Sequence, residues 1–168
     1  MKMIIRHITE DDLRIRVSWM NDPRVYSSMH YTIPVLLDNT IAWYNNICQN
    51  SSRSDFVFEV DNEVVAMGGL TSIDTNLKKA ELYIFVCPYI QSKGTGTQAT
   101  YLLCKYGFET LGLDKIYLVT NESNIPAQRV YEKVGFKLEG RLRKEVIVNK
   151  VVEDRLYYGL FAHELVKL

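Results

Sequence analysis

The feature that most constrains this chain is a glycine-rich turn with the sequence Gln-Ser-Lys-Gly-Thr-Gly at residues 91–96. An apolar run at residues 82–88 precedes it and a helix-like segment at residues 97–111 follows it, so the pattern predicts strand, turn and helix in that order. Because Gly94 and Gly96 carry no side chain, the backbone can approach an anion closely, and the N–H groups at the start of the helix point toward it. The turn therefore predicts a site for a phosphate-bearing cofactor.

The turn does not match two commoner glycine loops. It lacks the Gly-Lys-Ser/Thr ending of a nucleotide-hydrolysing loop. It also lies past the midpoint of the chain, whereas a Rossmann domain carries its three glycines after the first strand. Taken alone, the turn is equally compatible with a plain strand-to-helix connection. A second motif is needed to identify the cofactor.

That second motif is residues 124–136, which follow a β-rich run at residues 116–120 and have the features of a short helix. Asn124 can cap the helix, Pro126 suits its first turn, and Gly135 stands where a left-handed C-terminal residue is favoured. One apolar face is formed by Ala127, Val130, Tyr131 and Val134. Core packing is therefore one interpretation of Tyr131.

In this order and spacing, the two segments resemble the GNAT superfamily of N-acetyltransferases, which use acetyl-coenzyme A. In that family the first turn binds the coenzyme A pyrophosphate, and an Asn and a Tyr of the second segment face the pantetheine and the sulfur. The resemblance implies that Asn124 binds the pantetheine amide, with Arg129 and Lys133 as weaker candidates for the 3′-phosphate. It assigns the pyrophosphate to the six residues of the turn, Gln91, Ser92, Lys93, Gly94, Thr95 and Gly96.

The resemblance covers nearly the whole chain. Residues 19–25 look like the Trp-x-Asn-Asp-Pro opening of the branch that includes ribosomal-protein N-terminal, polyamine and nucleotide-linked amino-sugar acetyltransferases. Residues 140–143 and 154–160 resemble the closing hairpin of that branch. The predicted fold is therefore α/β (α+β) and GNAT-like, a mixed, mostly antiparallel central sheet of about seven strands flanked by about four helices.

Length and charge agree with a single acetyltransferase domain over residues 1–168. A chain of this length buries roughly 70% of its unfolded surface without metal or disulfide support. Its 20 Lys plus Arg balance 20 Asp plus Glu, so no basic field favours nucleic acid or an anionic membrane. No apolar run approaches the length of a membrane span. We expect a cytoplasmic monomer or homodimer.

The three cysteines, Cys48, Cys87 and Cys104, show no Cys-x-x-Cys spacing and have no paired histidines nearby. This pattern predicts free thiols and no metal site. Cys87 lies beside the predicted cofactor strand, where a small buried hydrophobic residue is the favoured interpretation.

The remaining elements are placed by periodicity and capping. Strands are predicted at residues 4–8, 56–60 and 64–72, and a C-terminal hairpin follows the short helix. A first helix starts at Thr9 with a capping box, and a second runs from Asp38 to about Asn50. Residues 26–34 are expected to form a turn-prone connection. The cofactor cleft is predicted where two central strands part.

Transfer of an acetyl group from a thioester to an amine requires a neutral amine, a stabilised oxyanion and a proton for the departing thiolate. Tyr131 is the predicted catalytic residue for the thiolate, because a phenol with a pKa of about 10 can protonate or hydrogen-bond a sulfur whose pKa is about 8.5. Backbone N–H groups of Phe85 or Val86, unpaired where the strands part, can hold the thioester oxygen.

Glu81, at the start of the cofactor strand, is the predicted base and would draw a proton from the ammonium through water. The alternative is a solvated or hydrogen-bonded Glu at a strand start. Some relatives that acetylate protein N-termini carry a Glu on the next strand, where this chain has Val119. The remaining candidates for removing the ammonium proton are Glu81 and a water chain, unless the acceptor arrives already neutral.

The acceptor is left open between a protein N-terminus and a nucleotide-linked amino sugar, with polyamine as a third choice because no acidic run is present. Arg141, Arg143 and Lys144 suit the phosphates of a sugar nucleotide or an acidic protein. An alternative of a different class is a non-catalytic acyl-coenzyme A sensor or assembly module, which predicts binding without turnover. The complete turn together with Tyr131 and Asn124 favours the enzyme.

Overall fold

The computed structural model describes residues 2–90 and 94–168, which fold into seven strands, five α-helices and two short 3-10 helices. The strands are β1 (Ile4–His7), β2 (Ser54–Val60), β3 (Glu63–Asp74), β4 (Lys79–Val86), β5 (Lys115–Asn121), β6 (Lys137–Val148) and β7 (Val151–Phe161). The α-helices are α1 (Leu13–Met20), α2 (Pro23–Tyr26), α3 (Leu37–Ile47), α4 (Thr95–Glu109) and α5 (Ile125–Val134). The 3-10 helices are Glu10–Asp12 and Ala162–Glu164.

The strands form one sheet in the order β1-β2-β3-β4-β5-β7-β6. Neighbouring strands pair antiparallel except β4 and β5, which are parallel. Two hairpins have two-residue loops in the left-handed region, Asp61-Asn62 with φ of 52° and 66° and Asn149-Lys150 with φ of 49° and 67°. Such loops match the right-handed twist of the flanking strands. The predicted mixed, mostly antiparallel sheet of seven strands is confirmed.

Each face of the sheet carries its own hydrophobic core. On one face α4 and α5 cover a cluster that includes Leu82 and Leu103. On the other face α1, α2 and α3 cover a cluster that includes Trp19 and Phe85. Successive side chains of a strand point to opposite faces, so β4 contributes Leu82 to one core and Phe85 to the other. A cleft that opens beside β4 can therefore be reached from both faces.

The structure differs from the prediction for the segment that follows the first helix. No helix was predicted between the first helix and Asp38, but α2 forms at Pro23–Tyr26, directly before the expected turn-prone connection. Asp22 accepts a hydrogen bond from the Arg24 backbone N–H at 2.9 Å, and Pro23 occupies the first helical position. An Asp cap followed by Pro ends one helix and begins another. The first predicted helix starts with the expected capping box, since Asp12 accepts from the Thr9 backbone N–H at 2.7 Å.

Two of the three cysteines, Cys87 and Cys104, are buried, and Cys48 is exposed. Burial raises the pKa of the Cys104 thiol far above its usual range, because the charged thiolate would lose its hydration. Cys87 packs in the core under α1, as expected for a small hydrophobic residue. Within residues 2–90 and 94–168, no helix is long and apolar enough to span a membrane.

Candidate active site

The candidate site is the gap where the two parallel strands separate. β4 and β5 pair only at Lys79–Lys115, Ala80–Ile116 and Glu81–Tyr117. Beyond these pairs β4 continues to Val86 and β5 to Asn121 along diverging paths. A cavity of about 590 Å³ opens between them and reaches α2, α4 and α5. The expected cleft between two central strands is thus present.

The glycine turn leads into α4 at the edge of this cavity. Gly94 is the residue before the helix, with φ of 103°, and nothing lies within 4 Å of the position that a Cβ would occupy. A Cβ on Gly96 would contact Val86 and Val130 at 3.7 and 3.8 Å, so it would fill space at the cavity wall. Gln91, Ser92 and Lys93 lie outside the described residues. The start of the 15-residue helix α4 suits an anionic group.

Tyr131 on α5 lines the cavity and also packs in the core. Its ring lies 5.8 Å from the Phe136 ring and 6.3 Å from the Tyr158 ring, measured between centroids. Burial raises the pKa of Tyr131 to about 12, with the nearby Cys104 as a smaller cause. The structure shows that Tyr131 packs in the core, and this packing holds its neutral phenol at the cavity wall. Its catalytic role remains a prediction.

Of the other site residues predicted on the α5 segment, one lines the cavity and two do not. Asn124 lines the cavity and caps α5, since its side-chain oxygen accepts from the Ala127 N–H at 3.3 Å. Arg129 and Lys133 are exposed and are not among the described residues that line the cavity. Thr95 begins α4 and likewise stands outside that set. The 3′-phosphate assignment to Arg129 and Lys133 therefore remains a prediction.

The direction of the β4 backbone distinguishes Val86 from Phe85. The Cys87 N–H donates to the Val65 carbonyl of β3 at 2.9 Å. Successive N–H groups of a strand point to opposite edges, so the Phe85 N–H also faces β3 and the Val86 N–H faces the cleft. The side chains of both residues line the cavity. Of the two predicted oxyanion donors, only the Val86 N–H faces the cleft, and the donor role itself remains a prediction.

Glu81 lies at the floor of the gap, in the last paired position before β4 and β5 separate. Tyr117 and Tyr157 stack beside it with ring centroids 5.2 Å apart and planes 7° apart. Burial raises the pKa of both phenols, and the Glu81 carboxylate raises each further. Val119, where some relatives carry a Glu, lines the cavity with an apolar side chain.

Two residues at the cavity were missed by sequence reasoning. His30 follows α2 and its Nε2 lies 2.8 Å from the Asn121 side-chain oxygen, across 91 positions of sequence. Arg155 on β7 donates from Nη2 to the Val119 carbonyl at 3.3 Å. His30 carries no local motif, and Arg155 falls within the hairpin residues 154–160 without being predicted as a site residue. Only the alternation of Arg155 with the buried Leu156 would have placed it on the face opposite α4 and α5.

The basic residues of β6 lie apart from this cavity. Arg141 forms ion pairs with Glu122 at 2.7 Å and with Asp154 at 3.0 Å. The Asp154 carboxyl has a lowered pKa because it accepts from the Lys144 backbone N–H and from Arg141. The charge of Arg141 is thus compensated within the protein. Arg143 and Lys144 line a separate surface depression with Arg141.

A buried polar chain supports the face under α1 and α3. The Tyr83 hydroxyl donates to Asp55 at 2.5 Å, and Arg53 forms an ion pair with the same carboxylate at 2.7 Å. The Arg16 guanidinium lies 4.4 Å from the centre of the Trp43 ring. Burial raises the pKa of Tyr83 to about 12. This chain holds Tyr83, which lines the cavity, in one position.

The sheet, the gap at its parallel pair and the glycine turn before α4 together define the fold of the GNAT acyltransferases. The chain belongs to this family, since the acetyltransferase (GNAT) domain matches residues 2–137.

Its relatives are N-acetyltransferases. It is 33% identical over 121 residues to a spermidine N(1)-acetyltransferase of Escherichia coli strain K12, covering 72% of this chain and 65% of that protein. It is 29% identical over 160 residues to a spermidine N(1)-acetyltransferase of Vibrio cholerae, covering 93% of this chain and 92% of that protein.

A crystal structure of spermidine N-acetyltransferase from Vibrio cholerae in complex with CoA and spermine superposes with a TM-score of 0.91. The sequence identity is 25%, and 96% of each chain is covered. The described part of the fold, including the closing hairpin, is therefore shared with an acetyltransferase that binds CoA.

Proposed function

We propose that this chain transfers the acetyl group of acetyl-coenzyme A to a primary amine, by direct attack of the amine on the thioester. The observation that carries the proposal is the cavity between β4 and β5, which is lined by the start of α4 and by Tyr131. The family and the CoA complex of the Vibrio cholerae relative support the choice of cofactor.

The residues at the start of α4 fit the diphosphate of the cofactor. Gly94 leaves its Cβ position open, and the helix start offers N–H groups that point outward. Asn124 uses its oxygen to cap α5, which leaves its amide nitrogen to bind the pantetheine. When bound, acetyl-coenzyme A supplies an acetyl group activated as a thioester.

The chain supplies one group to the oxyanion and one to the sulfur. The Val86 N–H faces the cleft and can donate to the developing oxyanion, and a fixed donor of this kind contributes about 3 kcal/mol to lowering a barrier. Tyr131, with its pKa raised to about 12, stays protonated across the neutral range. A phenol of that pKa is a weaker acid than a thiol, so it stabilises the departing thiolate chiefly by donating a hydrogen bond.

Glu81 would help to neutralise the incoming ammonium. It lies on the face of β4 opposite Leu82 and beside the Tyr117–Tyr157 pair, away from α4 and α5. The amine and the cofactor would then approach the gap from opposite faces of the sheet. Glu81 would take the proton through water, and the proton would leave to solvent.

The acceptor is a primary amine, and three classes have support. The relatives named above are spermidine acetyltransferases. The resemblance in residues 19–25 extends to enzymes that acetylate protein N-termini and nucleotide-linked amino sugars. The cavity of about 590 Å³ is shared between acceptor and cofactor, which favours a small amine or a single extended chain end.

The decisive experiment combines the purified protein with acetyl-coenzyme A and a panel of acceptors. The panel holds spermidine, N-terminal peptides of ribosomal proteins and nucleotide-linked amino sugars. Free thiol release and acetylated product are measured in parallel, the product by mass spectrometry. The expected result is that one acceptor gains the mass of one acetyl group in place of a hydrogen atom. Saturable cofactor binding without product from any acceptor would favour the non-catalytic acyl-coenzyme A module.

A further inference from the structure

Arg155 has an uncompensated charge on the acceptor side of the cavity. It is half-buried on β7, opposite Asn121 of β5, and its Nη2 donates to the Val119 carbonyl at 3.3 Å. Its Nε is buried without a hydrogen-bond partner in the part of the chain that the structure describes. A molecule in the cavity cannot reach this buried Nε and would meet the guanidinium through its Nη groups. Arg155 lines the cavity without a carboxylate partner in the described part of the chain, so the site favours a ligand that brings an anion.

The strand places Arg155 on the face from which the amine would approach. Leu156 packs in the core under α4 and α5, so its neighbour Arg155 lies on the opposite face of the sheet. Tyr157 shares that face with Arg155 and stacks on Tyr117 beside Glu81. Arg155 and Glu81 therefore line the same half of the cavity, across from the start of α4.

The charges that line the cavity do not suit a polycation. Glu81 is the one carboxylate among the described lining residues, against Arg24 and Arg155. The charge of Arg24 is compensated by Asp22, whose carboxylate lies 2.6 Å from its guanidinium. Arg155 forms no ion pair within residues 2–90 and 94–168. A polyamine would bring further positive charge beside it, whereas an anion would satisfy it.

We infer that the acceptor is a small primary amine that also carries an anionic group, a phosphate or a carboxylate, and that Arg155 binds this group. The inference rests on the proposed function, because it names the substrate class of that same site. Glu81 would receive the ammonium end of the acceptor and Arg155 the anionic end. Arg155 thus determines specificity and takes no part in the bond changes.

The test observes Arg155 directly while the cofactor side is blocked. The protein is saturated with coenzyme A, which occupies the start of α4, and its arginine Nε–H signals are recorded by two-dimensional ¹H–¹⁵N NMR. The Arg155 signal is assigned by its loss in Arg155→Lys. Inorganic phosphate, acetate and spermidine are then titrated separately, and the anion that shifts the signal at lower concentration distinguishes phosphate from carboxylate recognition.

The inference expects a saturable shift of the Arg155 signal with an anion and none with spermidine. The Arg155→Gln variant lacks this NMR signal, so its anion binding is measured by calorimetry. Binding of that anion should weaken at least tenfold, since a charge-assisted hydrogen bond is lost. Arg143→Gln, which removes an exposed arginine outside the cavity, should leave it unchanged. No saturable shift with either anion, or an equal shift with spermidine, would overturn the inference. Failure of coenzyme A to bind would count against the proposed function, while the anion titration of the free protein would still decide the role of Arg155.

Discussion

Glu81 of β4 and Tyr117 of β5 form the last register at which these two parallel strands pair. Beyond it each strand keeps its antiparallel neighbour, since β4 pairs with β3 as far as Val86 and β5 pairs with β7 as far as Asn121. The edge of β4 that faces β3 and the edge of β5 that faces β7 are hydrogen-bonded. The other edges of β4 and β5 face each other across the gap, where their backbone polar groups are available to a ligand. The cavity is thus a product of sheet topology.

Tyr131→Phe tests the group assigned to the thiolate. The variant keeps the ring that packs on Phe136 and Tyr158 and removes only the hydroxyl. We expect kcat to fall tenfold or more, because a positioned acid or hydrogen-bond donor contributes roughly 10² to 10⁴ in rate. Coenzyme A affinity, measured by calorimetry, should change little. An unchanged kcat would remove Tyr131 from the mechanism.

Gly94→Ala tests the start of α4, with Gly112→Ala as its matched control. Both glycines have positive φ, 103° and 65°, and both have open space at the Cβ position. Each substitution should therefore cost about 1–2 kcal/mol of stability through backbone strain. Only Gly94→Ala should weaken coenzyme A binding, and Gly94→Asp should abolish it, because a carboxylate would repel the diphosphate.

The thermal transition of each of the three variants first shows that it is folded. Calorimetric titration of coenzyme A then compares their cofactor affinities. Equal cofactor affinity in Gly94→Asp and the parent protein would contradict the placement of the diphosphate at α4.

The parts of this site that sequence could predict are those built from neighbouring residues. The cap at Asn124 and the left-handed Gly135 lie in one short segment, and the structure shows both, with φ of 115° at Gly135. A Cβ at Gly135 would clash with the Glu164 carbonyl, which explains the glycine there. Local propensity was sufficient to predict the cap and the left-handed glycine, because both belong to the ends of one short helix.

The acceptor side could not be predicted in the same way. His30 meets Asn121 across 91 positions, and Arg155 reaches the carbonyl of Val119 across 36. Contacts of this range depend on which strands become neighbours, and no local pattern encodes them. The short helix α2 was missed for another reason, because the Asp22-Pro23 pair that ends α1 also begins α2.

Tyr83→Phe tests the polar chain that supports the wall of the cavity. The substitution removes the hydroxyl that donates to Asp55, whose carboxylate is 1% exposed and pairs with Arg53. We expect a loss of about 1–3 kcal/mol in the free energy of unfolding, because a buried charged acceptor loses one of its donors. Urea denaturation measures this loss.

The control is Lys137→Gln, which breaks the ion pair with Glu164. Lys137 is 70% exposed in this pair, so the substitution should cost at most about 1 kcal/mol. A loss in Tyr83→Phe no larger than in this control would show that Asp55 does not need the hydroxyl.

Stability at alkaline pH should depend on the buried phenols. Burial raises the pKa of Tyr31, Tyr83 and Tyr131 from 10.0 to about 12. Between those values the unfolded chain loses protons that the folded protein retains, so the stabilisation is fully present below pH 10 and is lost as the pH rises through about 12. A shift of this size corresponds to about 3 kcal/mol for a fully buried phenol such as Tyr83 or Tyr131. Tyr131→Phe should therefore lose less stability between pH 9 and pH 11.5 than the parent protein, measured by urea denaturation at each pH.

The control is Tyr89→Phe, at a residue that is 62% exposed, and its stability should follow that of the parent protein. Parallel pH profiles for Tyr131→Phe and the parent would show that Tyr131 ionises as freely in the folded protein as in the unfolded chain.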